Sequence, residues 1–401
     1  MPDRDSTYSD VLITADSHVG ETEALRERLP EHLRPFLTMQ VQAKSGDLDF
    51  EYAGEVSNFT LYKELSERDR EKEFRSDPSQ GTNLEIRLHD MAREGVDAQV
   101  IFPNGGLESG GGRESVEYYE AFARAYNDYV WETFSDQHKR FKPAGALPVD
   151  NIESAVAEAT RCIERGFATL FLPCVVPWQP YRLDVYEPLW SLIEEARIPI
   201  SFHVFSGNLS NGGEFCDPGE LNEERVAIAR EYHEERFFTA PEQLETVVGM
   251  AAGMVPILEL TSSGALERHP DLQFVITESE CGWLAWTLQA MDQMQDRRHL
   301  YRKHLPLRYS EYFLRQGHVT ITDDAVALNN IRFTGGADRL LWGNDYPHDE
   351  GTWPESGRFI DTLRETLSPE DSNKVLCGNA ARLYGFDLDY LESHKSDLKA
   401  A

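Results

Sequence analysis

Short apolar segments alternate with longer segments of helical periodicity along most of the chain. The apolar segments, rich in β-forming residues, are 11–18, 97–103, 143–148, 168–173, 199–204, 272–278, 318–322 and 339–345. Amphipathic stretches separate most of them, at 83–94, 116–134, 152–165, 185–197, 255–268 and 283–294. This alternation predicts parallel strands covered by helices, and a count of eight strands favours closure into a barrel. An open doubly wound sheet is the alternative, but no Gly-x-Gly-x-x-Gly follows the first segment.

The expected fold is therefore an α/β fold, a distorted (β/α)₈ TIM barrel that occupies residues 1–401 as a single domain. Two segments fit no barrel element: the polar, acidic stretch 20–80 and the Gly/Asn/Glu-rich stretch 205–241. They follow strands one and five, so we expect both insertions on the face of the barrel that carries active sites, as lids or specificity elements. Residues 371–384 predict a closing helix, and residues 393–401 a frayed tail within the C-terminal part 371–401.

Composition narrows the classes of function. The formal net charge is −31, and the basic residues are scattered among acidic ones, which disfavours binding to nucleic acid or to an anionic membrane. The chain starts without the pattern of a signal peptide, and no segment is as apolar as a membrane helix must be. The five cysteines are widely spaced and odd in number, which predicts reduced thiols. We expect a cytoplasmic homo-oligomer, a dimer, that acts on a small carboxylated or acyl substrate.

Side chains that bind metal ions stand at the ends of several predicted strands. Strand one ends in Asp16 and His18, which a period of two places on one face. His203 ends strand five, Glu278 ends strand six and Asp345 ends strand eight. Catalytic groups of barrels come from these strand ends, and a cluster of carboxylates without a cation would repel itself. The pattern therefore predicts a metal centre.

Each of these residues has a simpler interpretation when it is taken alone. An isolated Asp-x-His such as Asp16 and His18 is common by accident. His203 could be an ordinary core histidine, and Glu278 could pair with an arginine of the barrel. The agreement of four strand ends on one ligand chemistry and one face is what favours the metal centre.

Four motifs resemble the amidohydrolase superfamily, specifically its amidohydrolase-2 branch, which includes aromatic-acid decarboxylases and lactone or amide hydrolases. They are Ala15-Asp-Ser-His18, the lone His203, Trp342-Gly-Asn-Asp-Tyr-Pro-His348 and Gly378-Asn-Ala-Ala-Arg-Leu-Tyr384, and they span nearly the whole chain. The resemblance implies a distorted barrel with a metal, often zinc or manganese, bound by strands one, five and eight. By position, those ligands are Asp16, His18, His203 and Asp345.

The sequence departs from the family pattern at Asp16 and at Glu278. Asp16 stands where the family usually has His or Glu, and Glu278 stands where the decarboxylases and many hydrolases have His. Strand four ends in Leu172-Pro173-Cys174, without the lysine that bridges two metals in other amidohydrolases. With Glu278 as a further ligand, the set of three carboxylates and two imidazoles suits zinc, manganese or iron. One divalent ion is expected, and two are possible if His348 or His233 also binds.

The remaining candidates concern the substrate and the reaction. His348 is a candidate for hydrogen bonding to substrate, His233 could instead be a surface helix histidine, and Asn104, Trp283 and Trp353 are candidates for the substrate pocket, although the two tryptophans are as often packing residues.

Three classes of function stay open, and for the enzyme classes the candidate catalytic residues are Asp345, Glu278 and His348. A metal-activated water could hydrolyse an acyl, lactone or amide bond, or the enzyme could release CO₂ from an organic acid without oxidation. We rank hydrolysis slightly ahead because Glu278 replaces the family's histidine. A non-haem iron, even diiron, oxygenase on the same fold is the alternative enzyme class, and a non-catalytic barrel that only binds is the third.

Overall fold

The computed structural model describes residues 9–42, 48–52, 55–57, 81–104, 115–176, 179–207, 242–297, 304–348 and 351–395. His233 and nearly all of the second insertion lie outside these residues, as do much of the first insertion and the end of the tail.

Eight strand positions form one parallel barrel. Its strands are β1 (Ile13–Thr14), continued by β2 (His18–Val19), then β6 (Ala98–Pro103), β7 (Phe141–Ala146), β8 (Thr169–Val175), β9 (Ile200–Gly207), β10 (Phe274–Thr277), β11 (Gly317–Ile321) and β12 (Leu340–Trp342). Neighbours in the sheet follow the order of the chain, and every pair is parallel. Backbone bonds join the first and last strands: Ala15 donates to Trp342 at 2.8 Å and His18 donates to Tyr346 at 2.6 Å. The predicted barrel is therefore confirmed.

The strand bounds differ from the sequence prediction in a few places. The third barrel strand begins at Phe141 rather than at 143, because Phe141 is fully buried and pairs with Gln99. Lys142, which is half-buried, interrupts the apolar run of this strand, so the sequence pattern does not indicate a start at Phe141. Strand one is interrupted between Thr14 and His18, where the Thr14 hydroxyl donates to the carbonyl of Asp16 at 2.7 Å.

Helices cover the outside of the barrel. The longer ones are Leu84–Glu94, Val116–Phe134, Ile152–Arg165, Glu187–Ala196, Glu242–Ala251, Met254–Ser263, Leu284–Arg297, Tyr309–Gln316 and Ser356–Thr366, with shorter ones at Glu23–Arg26, Ala265–Arg268 and Ala325–Asn330. The predicted bounds of the second and third agree with the structure because both have clear caps. The side chain of Ser115 accepts from Tyr118 N–H, and that of Asn151 accepts from Glu153 N–H. No helix in the described ranges is long and apolar enough to cross a membrane.

The first insertion contains regular structure that the sequence analysis did not predict. Strands β3 (Met39–Gln42), β4 (Leu48–Tyr52) and β5 (Glu55–Ser57) form a small antiparallel sheet. The sequence Leu-Asp-Phe-Glu-Tyr of β4 alternates apolar and polar residues, which is the signal of a strand, but the acidic surroundings obscure it. A lid role for this insertion stays a prediction.

The C-terminal segment closes the barrel as predicted. Helices Pro369–Asn373 and Asn379–Tyr384 are joined by a π-helical turn, Lys374–Gly378, and Leu388–Ser393 follows. The Asn379 side chain donates to the carbonyls of Ala337 and Leu340 at 2.7 and 2.8 Å, which anchors the segment to the last barrel strand. The four cysteines in the described ranges are buried and form no disulfide with one another.

A buried histidine outside the site should make stability depend on pH. Burial, with the charges of Arg339 and Arg382, lowers the pKa of His318 to about 3. Below pH 6.5, which is about the pKa of histidine in the unfolded chain, His318 is protonated in the unfolded chain but stays neutral in the folded chain. The free energy of unfolding therefore falls as pH falls, by about 1.4 kcal/mol per pH unit. Between pH 7 and pH 5, the free energy of unfolding measured in urea should fall by about 2 kcal/mol more in the wild type than in His318→Gln. Equal losses would contradict this account.

Candidate functional site

The predicted metal-binding residues converge at the carboxyl ends of the barrel strands. Asp16 and His18 lie at the interrupted first strand, and His203 lies on β9. Glu278 directly follows β10, and Asp345 lies three residues after the end of β12. All five are buried, with exposed fractions of 6% or less. The backbones of Glu278 and Asp345 adopt left-handed φ angles of 59° and 55°. Such angles are unfavourable for residues other than glycine and gather at functional sites. The structure thus brings the five candidates together.

Four of these side chains surround one point. His203 Nε2 lies 3.4 Å from Asp16 Oδ1 and 3.3 Å from Glu278 Oε2. His18 Nε2 lies 3.5 Å from each of the same two oxygens. An ion about 2.0 to 2.2 Å from its ligands separates two tetrahedral ligands by about 3.4 Å, so the four donor atoms are spaced as ligands of a single ion.

Both histidines are oriented to present Nε2 to that point. His18 Nδ1 donates to the carbonyl of Pro103 at 3.0 Å, and His203 Nδ1 donates to the carbonyl of Val204 at 2.9 Å. A carbonyl that accepts from one ring nitrogen leaves a lone pair on the other, which is the form that binds metal. The backbone therefore selects the ligating tautomer at both residues.

Three of the four residues present donor atoms that lack hydrogen bonds within the described part of the protein. Both Asp16 oxygens and the Nε2 atoms of His18 and His203 are buried without a hydrogen-bond partner. Burial, together with the charge of His348, lowers the pKa of His18, which favours the neutral ring. Buried, unbonded donors beside buried carboxylates are costly unless a cation is present. These residues fit a divalent metal ion.

A second group of polar side chains adjoins these four. His348 Nδ1 lies 2.9 Å from Asp345 Oδ1, and His348 Nε2 lies 2.7 Å from Asn104 Oδ1. Asp345 Oδ1 is also 3.3 Å from His18 Nε2. Burial by itself opposes the charged form of Asp345, but His348 and His18 outweigh it and lower the pKa of that carboxyl below its usual range. Asp345 is therefore an anion held between two imidazoles.

The helix predicted at 83–94 supports the site from the side away from the donor atoms, a role that the sequence analysis did not predict. Fully buried Arg87, on helix Leu84–Glu94, donates to the carbonyl of His18, to the carbonyl of Gly81 at 2.6 Å and to Gln99 Oε1 at 2.7 Å. Its guanidinium also lies 4.9 Å from the centre of the Tyr346 ring.

The same face of the helix also reaches strand eight. Asp90 accepts from the Tyr346 hydroxyl at 2.9 Å, and Tyr346 follows Asp345 directly. Charged residues three positions apart on one helix face thus hold the two chain segments that carry His18 and Asp345. In the sequence, the only signal was an Arg and an Asp three positions apart within the amphipathic stretch 83–94.

Removing the guanidinium of Arg87 should weaken the metal centre without touching a ligand. We expect Arg87→Met to lower the affinity for Mn²⁺ by about 10- to 100-fold, because residues that support ligands have effects of this size. Arg87→Lys should recover only part of the loss, since one ammonium cannot reach all the acceptors. Titration of metal-free protein with Mn²⁺ measures both. An unchanged affinity in Arg87→Met would contradict the bracing role.

The structure also describes three predicted residues of the substrate pocket: Asn104, Trp283 and Trp353. Asn104 lies against His348, as described above. Trp283 donates from its indole nitrogen to the carbonyl of Ser279 at 2.9 Å, and buried Trp353 packs edge-on against Tyr346, with ring centres 5.0 Å apart. Contact of these three residues with substrate stays a prediction, as does metal binding by His233.

Comparison with known proteins agrees with this architecture. The family described as amidohydrolase matches residues 31–386. A gamma-resorcylate decarboxylase from Rhizobium radiobacter is 26% identical in an alignment of 281 residues that covers 66% of this chain and 76% of the relative.

Two solved structures share the fold at low identity. An amidohydrolase from Mycobacterium avium subsp. paratuberculosis K-10 has a TM-score of 0.70 at 18% identity, covering 94% of this chain and all of its own. A dihydroxybenzoic acid decarboxylase from Polaromonas sp. JS666, with bound manganese and the inhibitor 2-nitroresorcinol, has a TM-score of 0.60 at 19% identity and covers 94% and 97%. Because the family match covers most of the chain and the site holds a set of metal donors, this protein belongs to the amidohydrolase family and is a metal-dependent enzyme.

Proposed function

We propose that the enzyme removes CO₂ from a small aromatic carboxylic acid without oxidation. The observation that carries the proposal is the match to a gamma-resorcylate decarboxylase over 76% of that relative's length. The buried centre of carboxylates and imidazoles supports it, because a bound cation there would receive a carboxylate substrate.

This proposal reverses the order that the sequence alone suggested. Hydrolysis was ranked ahead because Glu278 stands in place of a histidine. The three proteins compared above include two decarboxylases and no oxygenase, which favours decarboxylation. Within the site, Glu278 contacts the same two histidines as Asp16, which suits a ligand better than a base for hydrolysis.

The side chains have separate roles in this reaction. Asp16, His18, His203 and Glu278 would hold the ion, which as a Lewis acid polarises a substrate oxygen when bound. Loss of CO₂ from an aromatic acid requires a proton at the ring carbon that carried the carboxylate.

Asp345 is suited to relay this proton: as an anion it would first accept a proton from the substrate's hydroxyl group or from water and then deliver it to the ring carbon. Its Oδ2 is buried without a hydrogen-bond partner, while Oδ1 faces His18 and His348. His348, which lies against Asn104, orients the Asp345 carboxyl.

We propose manganese as the ion. Two carboxylates and two imidazoles form a harder ligand set than a zinc site rich in histidine, and carboxylate oxygen suits manganese. The dihydroxybenzoic acid decarboxylase from Polaromonas carries manganese, which supports this choice. The dimer and the cytoplasmic location expected from the sequence stay predictions.

The experiment is a substrate survey under nitrogen. Protein loaded with Mn²⁺ is incubated with hydroxybenzoic acids, and CO₂ and the matching phenol are quantified in equal amounts. Metal-free protein and benzoic esters, amides and lactones serve as controls. Equimolar CO₂ and phenol without oxygen support the proposal. Turnover of esters or lactones without CO₂ would overturn it in favour of hydrolysis, and turnover that needs oxygen would favour the oxygenase.

A further inference from the structure

We propose that three buried hydroxyls, those of Thr14, Ser206 and Thr320, position the metal ligands by accepting backbone N–H groups where the pairing of the barrel strands is broken. The inference deepens the proposed function and rests on it for the ion and its four ligands. All three residues lie on barrel strands and are exposed by 1% or less. They act through the ligands, so they are positioning residues and not catalytic ones.

The first break lies between strand one and strand eight. The two backbone bonds that join these strands enclose residues 16–17 on one side and residues 343–345 on the other. Strand eight thus carries one residue more, a β-bulge, and Asp345 within it has a φ of 55°. A bulge re-aims a side chain but leaves a backbone group without its usual partner. Here the N–H of Asn344 donates instead to the Thr14 hydroxyl at 2.9 Å.

The Thr14 hydroxyl joins the segments that carry Asp16 and Asp345. It accepts from Asn344 N–H and donates to the carbonyl of Asp16 at 2.7 Å, and that carbonyl also accepts from Asp345 N–H at 3.2 Å. One hydroxyl and one carbonyl therefore fix the spacing of Asp16, a ligand of the ion, and Asp345, which relays the proton. A hydroxyl can donate and accept at once. Valine has the same shape but would leave the buried N–H of Asn344 without a partner.

The second break lies at the end of β10. The pairing of β10 with β11 ends at Ile276 and Val319, and Glu278 turns out of the sheet with a φ of 59°. Its N–H donates to the Thr320 hydroxyl at 2.7 Å. A left-handed backbone is unfavourable for glutamate and needs support from its surroundings. The Thr320 hydroxyl gives this support, and so directs the Glu278 carboxylate to the two histidines.

The third break follows His203 on β9. The register of β8 with β9 shifts there, and Phe205 has a left-handed φ of 54°. The N–H of Cys174, on β8, donates to the Ser206 hydroxyl at 2.9 Å, and this hydroxyl donates to the carbonyl of His203. The resulting turn carries the Val204 carbonyl that orients the His203 ring. The same arrangement thus recurs beside three different ligands.

The test compares metal binding by variants that lose or keep a hydroxyl. Metal-free protein is titrated with Mn²⁺ for Thr14→Val, Thr320→Val and Ser206→Ala, and for the rescue variants Thr14→Ser and Thr320→Ser. We expect the first three to bind Mn²⁺ about 10- to 100-fold more weakly than the wild type, because residues that support ligands have effects of this size. The serine variants keep the hydroxyl and should bind within about threefold of the wild type.

The matched control is Thr169→Val. Thr169 is also fully buried, but it is the first residue of β8 and lies at the end of the barrel away from the site. Its hydroxyl donates to the carbonyl of Pro199 at 3.0 Å, so valine removes a buried hydrogen bond here too. We expect the melting temperature to fall as it does in Thr14→Val, with the Mn²⁺ affinity unchanged. The control therefore separates a misplaced ligand from a loss of stability.

Activity at saturating Mn²⁺ distinguishes Thr14 from Thr320. Excess metal refills the site in both valine variants, but Thr14→Val also leaves the N–H of Asn344, next to Asp345, without its partner. We expect kcat of Thr14→Val to stay about 10-fold or more below the wild type with little change in KM, and Thr320→Val to recover most of its activity. Equal recovery of both variants would overturn the link between Thr14 and Asp345.

The positioning role is overturned by valine variants that bind Mn²⁺ as tightly as the wild type, by serine variants no better than the valine variants, or by an equal loss of affinity in Thr169→Val. A wild type that binds no Mn²⁺ overturns it as well. Failure of the proposed function is recognised separately. A wild type that binds Mn²⁺ but releases no CO₂ rejects decarboxylation, while the order of the Mn²⁺ affinities still decides on the three hydroxyls.

Discussion

The His203→Ala variant should lose at least 99% of its bound manganese after dialysis and about 10³-fold or more in kcat/KM for decarboxylation. Its Nε2 is buried, lacks a hydrogen-bond partner and lies 3.3 to 3.4 Å from two carboxylates. Removing the imidazole leaves those carboxylates facing each other with one donor fewer, so the ion is held more weakly and the carboxylates repel each other. Elemental analysis and CO₂ release measure the two effects.

The matched control for His203→Ala is His138→Ala, which removes an exposed imidazole from the same chain. It should retain full metal content and activity. Excess Mn²⁺ should restore part of the activity of His203→Ala, because three ligands of the ion remain. A His203→Ala variant that keeps metal and activity would exclude this residue from the centre.

Replacing Asp345 with asparagine should have the next largest effect. Asparagine keeps the shape but cannot carry the proton, so kcat should fall by about 10²- to 10⁴-fold. KM should change less, because Asp16, His18, His203 and Glu278 still hold the ion. Steady-state kinetics with a hydroxybenzoic acid separates kcat from KM.

Asp136→Asn, at an exposed acidic residue, controls for the loss of one negative charge. It should leave kcat unchanged. If Asp345→Asn instead raises KM and leaves kcat within a factor of three, Asp345 binds substrate and does not move the proton. Metal content measured on the same samples shows whether the ion is still present.

Much of the site could be predicted because metal ligands in a barrel stand at the ends of strands. Strands are indicated in the sequence by short apolar runs. Asp16 and His18 share a face by the period of two, and apolar runs precede His203 and Asp345. The closed order of strands then brings residues 329 positions apart in the chain, Asp16 and Asp345, to one backbone hydrogen bond of 3.2 Å.

The parts that could not be predicted depend on contacts between distant segments. The carbonyl of Pro103 fixes the His18 ring, and nothing in the local sequence of either residue indicates that pairing. Arg87 is one of several charged residues in the stretch 83–94, and only the structure shows that it is buried and hydrogen-bonded to the carbonyl of His18. The small sheet within the first insertion was missed because acidic residues mask its alternation.

The central claim is that Asp16, His18, His203 and Glu278 bind one divalent ion. Anomalous X-ray scattering from a crystal of the manganese-loaded enzyme tests it most directly. We expect a strong manganese peak about 2.0 to 2.2 Å from Asp16 Oδ1, Glu278 Oε2 and the Nε2 atoms of both histidines. A saturated crystal without manganese among these four atoms, or with its only peak elsewhere, would contradict it.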